Sequence, residues 1–88
     1  MSHFRLVVKI HALSILTRDC SLVYEMAQCL PRKESVKKRE GVQDAIRLWG
    51  WWKSTDRRWV AEVHQNNVNR LICEINEGID SLRMEYGC

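Results

Sequence analysis

The sequence predicts an all-α fold: a small three-helix bundle, or a helical hairpin with a third helix, in a single domain over residues 1–88. Three observations predict it. The chain holds one Pro and four Gly, too few for the many tight turns of an all-β chain. Apolar residues recur at steps of three and four through most of its length, which is the spacing of one helix face. The breaks in that spacing fall at Pro31 and at the run Ser54-Thr55-Asp56, residue types that stop or start helices.

The first element is expected from about His3 to Leu30. Leu13, Leu16, Cys20, Val23, Ala27 and Leu30 form one apolar stripe, and Leu6 and Ile10 extend it backwards. A strand competes at the start, because Phe4, Leu6, Val8 and Ile10 alternate with Arg5, Val7, Lys9 and His11. No second strand is legible to pair with it, so a short N-terminal strand would have to join another chain's sheet edge. The helix is the reading we favour. Pro31 ends it, because the residue before a proline is pushed away from helical geometry.

Residues 32–41 are polar and read as a loop that can include the first turns of a second helix, with Ser35 a candidate cap. A second, shorter helix follows, with Val42, Ala45, Ile46, Trp49 and Trp52 on one face. Gly50 either lets another backbone approach or marks this helix's end. A third helix is expected from about Arg57 to Met84. Its seam is Val60, Val63, Asn67, Leu71, Ile75, Ile79 and Leu82, flanked by Trp59, Val68 and Ile72. Gly78 could kink it, and Gly87 is placed as its stop. Long outer helices beside a short middle one would leave apolar surface uncovered, which favours a homodimer or a partner groove.

A domain of this size buries only about 60–65% of the surface its unfolded chain exposes, so modest stability is expected. Four cysteines stand at positions 20, 29, 73 and 88. Cys20 and Cys29 on one helix would lie roughly 13 Å apart, too far for a disulfide. Reduced thiols are therefore expected, with Cys20, Cys29 and Cys73 as small core residues and Cys88 the candidate for an intermolecular bond. The stretch Leu6–Leu16 is preceded by Arg5 and interrupted by Lys9 and His11, and it reads as neither a secretion signal nor a membrane span. The expected location is cytoplasmic, with no membrane contact.

Charge is unevenly placed. Residues 1–58 hold 12 Lys/Arg and 6 Asp/Glu, a balance of +6, while residues 59–88 hold 2 and 5, a balance of −3. Residues 32–58 alone hold 9 basic and 4 acidic side chains, a local +5. All four tryptophans, Trp49, Trp51, Trp52 and Trp59, fall between Arg47 and Trp59 beside Lys53, Arg57 and Arg58. Trp49 and Trp52 can face the core together. Trp51 then points about 100° away from Trp52 and is expected to contact something else.

Catalysis has little support. There is no nucleophile elbow and no glycine-rich phosphate loop. The histidines His3, His11 and His64 lack metal-ligand spacing, and a zinc site would need distant ligands such as His11, Cys20, His64 and Cys73. No enzyme activity, metal or cofactor is expected. Two functions remain. The first is a non-catalytic protein–protein interaction module that binds a larger protein, with Trp51, Trp52, Arg47, Lys53, Arg57 and Arg58 at the contact. It would be an inhibitor, adaptor or regulatory subunit of the kind phages and other mobile elements encode. The alternative is a DNA-binding or other nucleic-acid-binding regulator, with Arg32, Lys33, Lys37, Lys38 and Arg39 on phosphates.

Overall fold

A computed structural model describes residues 3–19, 25–26, 38–54 and 60–87. Three α-helices dominate them: α1 over His3–Thr17, α2 over Lys38–Lys53 and α3 over Gln65–Tyr86. A 3₁₀ turn, Glu62–His64, leads into α3. The all-α reading holds, and the strand alternative for residues 4–10 gives way to helix. Leu6, Ile10 and Leu13, at steps of four and three, are all buried on one face of α1, whereas a strand would have put Leu6, Val8 and Ile10 on the same side. Val8 is instead about half exposed.

α3 is the common partner, with α1 and α2 both packed against it. Arg39 in the first turn of α2 donates from Nη2 to the Gly87 carbonyl at the far end of α3, at 3.1 Å. Near the other end of α2, Trp49 reaches Asn76. These two links make α2 antiparallel to α3. Lys9 and Glu74 pair at 3.7 Å across α1 and α3. The end of α1 meets the start of α3 around Ile15, Leu16, Val60 and His64, so α1 is antiparallel to α3 as well. One end of the bundle thus gathers the C-termini of α1 and α2 and the N-terminus of α3.

The core is continuous. It joins Leu6, Ile10 and Leu13 of α1 with Val42, Ala45, Trp49 and Trp52 of α2, and with Val68, Leu71, Ile75, Ile79 and Leu82 of α3. Met26 and Val60 complete it. Ser14 and Thr17 are buried hydroxyls, and each donates back into its own helix, to the His11 and Leu13 carbonyls at 2.7 and 2.8 Å. Their polarity is satisfied without a tertiary partner. No helix among the described residues is long and apolar enough to cross a membrane.

The first helix is shorter than the sequence suggests. α1 stops at Thr17 rather than running to Leu30. Arg18 takes a left-handed conformation with φ 56°, and the Asp19 N–H bonds the Ser14 carbonyl at 3.1 Å. This is a Schellman closure with arginine in the place glycine usually takes. The outer helices are therefore not both long: α1 has 15 residues, α2 has 16 and α3 has 22. The positions of Cys20, Cys29, Pro31, Ser35 and Cys88 in that reading lie outside the described residues.

α3 also starts later than expected, at Gln65 instead of Arg57, and its buried face differs. The buried positions are Val68, Leu71, Ile75, Gly78, Ile79 and Leu82. Val63 and Asn67, placed on the seam by the sequence, are exposed. At 100° per residue, repeated steps of four drift around the helix, and Asn67 lies about 80° from Ile75 whereas Val68 lies about 20° from it. The same arithmetic turns Cys73 about 160° from Ile75, and it is an exposed free thiol rather than a core residue. Gly78 is buried and does not interrupt the helix. Gly87 ends it as expected, with φ 67° and its N–H on the Arg83 carbonyl.

Gly50 neither ends α2 nor admits another backbone. It is exposed, and a Cβ placed there would meet no atom within 4 Å. Gly50→Ala should therefore raise the unfolding free energy by about 1 kcal/mol through helix propensity alone. Arg18→Gly should raise it by about 1 kcal/mol by relieving the left-handed backbone. Urea denaturation followed by circular dichroism checks both, and a loss of stability in either variant would contradict the assigned geometry.

Candidate functional site

The exposed candidates are ordered by the helical repeat of α2. With Val42, Ala45, Trp49 and Trp52 buried, the outer stripe is Asp44, Arg47, Trp51 and Ser54, at steps of three, four and three. Arg47 donates from Nη2 to Asp44 Oδ1 at 3.1 Å along this stripe. Trp51 is 64% exposed, the only tryptophan on the surface among the described residues. Ser54 donates from both its N–H and its Oγ to the Trp51 carbonyl, at 3.2 and 2.7 Å. Ser54 therefore closes the C-terminus of α2, where the sequence suggested a cap for the next helix.

The two inward tryptophans form a stacked, hydrogen-bonded unit. Their rings stack at 5.5 Å between centroids with an 11° interplanar angle. Each indole N–H has an acceptor: Trp49 Nε1 donates to Asn76 Oδ1 at 2.7 Å, and Trp52 Nε1 donates to Asp19 Oδ2 at 3.1 Å. Trp52 is thus a core residue, 2% exposed, and not part of a contact surface. Lys53 places Nζ 5.9 Å from the centroid of the Trp49 ring, a cation–π contact that caps the stack. Of the residues the sequence grouped as partner-binding, the fold brings Arg47 and Trp51 onto one stripe, turns Trp52 inward and sets Lys53 over Trp49. Arg57, Arg58 and Trp59 lie outside the described residues.

The basic cluster is only partly described. Arg39 uses its guanidinium on the Gly87 carbonyl, where a cation is also favoured by the α3 helix dipole. Lys38 opens α2. Arg32, Lys33 and Lys37 lie outside the described residues. The histidines are dispersed, with His11 exposed on α1 and His64 half-buried before α3. Among the described residues no three His, Cys, Asp or Glu side chains converge on a position for a metal ion.

One feature of the surface was not legible in the sequence. A cleft of about 330 Å³ opens between the end of α1 and the turn before α3. Ile15, Leu16, Arg18, Val60, Ala61 and His64 line it. The Gln65 side chain donates from Nε2 to the carbonyl of Val60, one of the lining residues, at 3.2 Å. Val63, 78% exposed, projects from the same turn. A helix drawn straight through Arg18, and another begun at Arg57, hides the corner that makes this cleft. The sequence signal was the polar triplet Thr17-Arg18-Asp19 inside an apolar stripe.

No protein-family model, curated protein or solved structure matches this chain.

Trp49→Phe would keep the stacked ring but remove the donor from Asn76. An expected loss of about 1–2 kcal/mol in unfolding free energy follows from a half-buried amide left without its partner. Trp51→Phe, on the exposed side, should change stability by no more than about 0.5 kcal/mol. Paired urea denaturation curves test this ordering, and equal losses would remove the assigned difference between the two faces.

Proposed function

We propose that this protein is a non-catalytic interaction module that binds a larger protein through the outer stripe of α2, with Trp51 as the anchor and Arg47 beside it. The observation that carries this reading is the exposure of Trp51 on a regular helix whose other face is fixed by a packed core. A tryptophan 64% exposed keeps much of its surface accessible, and burying that surface is a main source of binding energy at interfaces. Arg47, four residues earlier on the same stripe, supplies a second residue type enriched in hot spots. The rigidity of the helix lowers the ordering that binding requires. A regulatory subunit, adaptor or inhibitor is the role that fits a small chain of this kind.

The test uses the intact chain and Trp51→Ala. Both should have the same helical content by circular dichroism. A protein captured by the wild type is identified and its affinity measured by calorimetry. Trp51→Ala should weaken it by at least about thirtyfold, a hot-spot loss of roughly 2 kcal/mol. A partner that binds both forms equally sinks the assignment of Trp51. Labelled duplex and single-stranded DNA at two salt concentrations test the alternative in parallel. Tight binding that falls steeply with salt, and is lost when Lys37, Lys38 and Arg39 become Ala, would replace this proposal with nucleic-acid recognition.

A further inference from the structure

We infer that the cleft between α1 and the 3₁₀ turn is a binding site for a small aliphatic carboxylate, separate from the α2 stripe. Ile15, Leu16, Val60 and Ala61 supply its apolar surface, and polar surface makes up about as much of its lining. Its polar groups are basic, Arg18 and His64. The volume of about 330 Å³ sits at the lower end of the roughly 300–1,000 Å³ range of small-ligand sites, enough for a short aliphatic body. Ile15 is 64% exposed at the mouth, so apolar surface remains there for a ligand to cover.

Charge selects the other end of the ligand. The Arg18 guanidinium makes no hydrogen bond or ion pair with the described residues, and it presents a forked donor suited to a carboxylate. α3 begins at this cleft, and neither Ala61 nor His64 supplies a side-chain cap to the backbone N–H groups behind it. The His64 and Gln65 N–H groups already donate to the Ala61 and Glu62 carbonyls, so it is the helix dipole that adds positive potential here. Glu62 lies in the same turn but is exposed and is not one of the lining residues.

The backbone at Arg18 is the independent observation. Its φ of 56° is a conformation that glycine adopts at little cost and other residues adopt under strain. Strain of this sort is retained where a side chain does something that glycine cannot. Here the side chain is a cation lining a cleft of mixed polar and apolar surface.

Octanoate is the probe, titrated into the intact ¹⁵N-labelled protein below its micelle-forming concentration, with 1-octanol and acetate as controls. Saturable shifts should centre on the amides of Ile15, Leu16, Arg18, Ala61 and His64. Octanol and acetate should each bind at least about tenfold more weakly, since each lacks one half of the recognised chemistry. Arg18→Gly, which the backbone favours, should stay folded, weaken octanoate about tenfold and leave octanol unchanged. No saturable shifts, octanol or acetate binding as tightly as octanoate, or Arg18→Gly binding octanoate as well as the wild type would each overturn the inference.

Discussion

The stacked pair Trp49 and Trp52 is the unit on which the arrangement of the helices depends. Three residues apart on α2, the two rings lie over one another on its inner face. Their bulk fills the bundle near the end where all three helices meet, and their N–H groups fix its neighbours. Trp49 sets the register of α2 on α3 through Asn76. Trp52 ties α2 to the corner after α1 through Asp19. A large apolar body with one polar edge does two jobs that an aliphatic residue cannot do together: it buries area and it specifies which partner stands where. The same packing leaves the intervening residue, Trp51, facing outward.

The outer surface follows from that inner one. Once the helical repeat commits Trp49 and Trp52 to the core, Trp51 turns outward, because it lies about 160° from Trp49 and about 100° from Trp52 around the helix. Its exposure is therefore a consequence of the core and not of a loop. Asp19 accepts from Trp52 just after the left-handed turn at Arg18, and the cleft opens beside Ile15 at that turn.

What was legible in the sequence was whatever depended on a regular repeat. The fold class, the buried face of α2, the exposure of Trp51 and the glycine stop at Gly87 all follow from the 3.6-residue period or from a residue with one dominant use. What was not legible depended on a break without a marker. Arg18 takes a left-handed turn that a sequence reader assigns to glycine or asparagine, so α1 seemed to continue. Ser54 looked like the start of a helix, yet its side chain closes the previous one, because a serine hydroxyl serves either end according to which backbone group is near. Val63 falls in the 3₁₀ turn ahead of α3, and Asn67 leaves the buried face because a seam in steps of four drifts over several turns. The cleft was hidden by the same errors, since it exists only where α1 has ended and α3 has not begun.

The placement of α3 between its two neighbours bears on the order in which the protein is made. Asn76 and Trp49 are 27 positions apart, whereas the Lys9–Glu74 contact joins positions 65 apart. α2 and α3 can therefore close on one another at a smaller loop entropy than α1 and α3. α1 is nevertheless synthesised first. At roughly 5–20 residues per second, Leu6, Ile10 and Leu13 wait several seconds on the ribosome for the helix that covers them. The apolar face of α1 thus stays uncovered, and open to a chaperone, until α3 has emerged to pack against it.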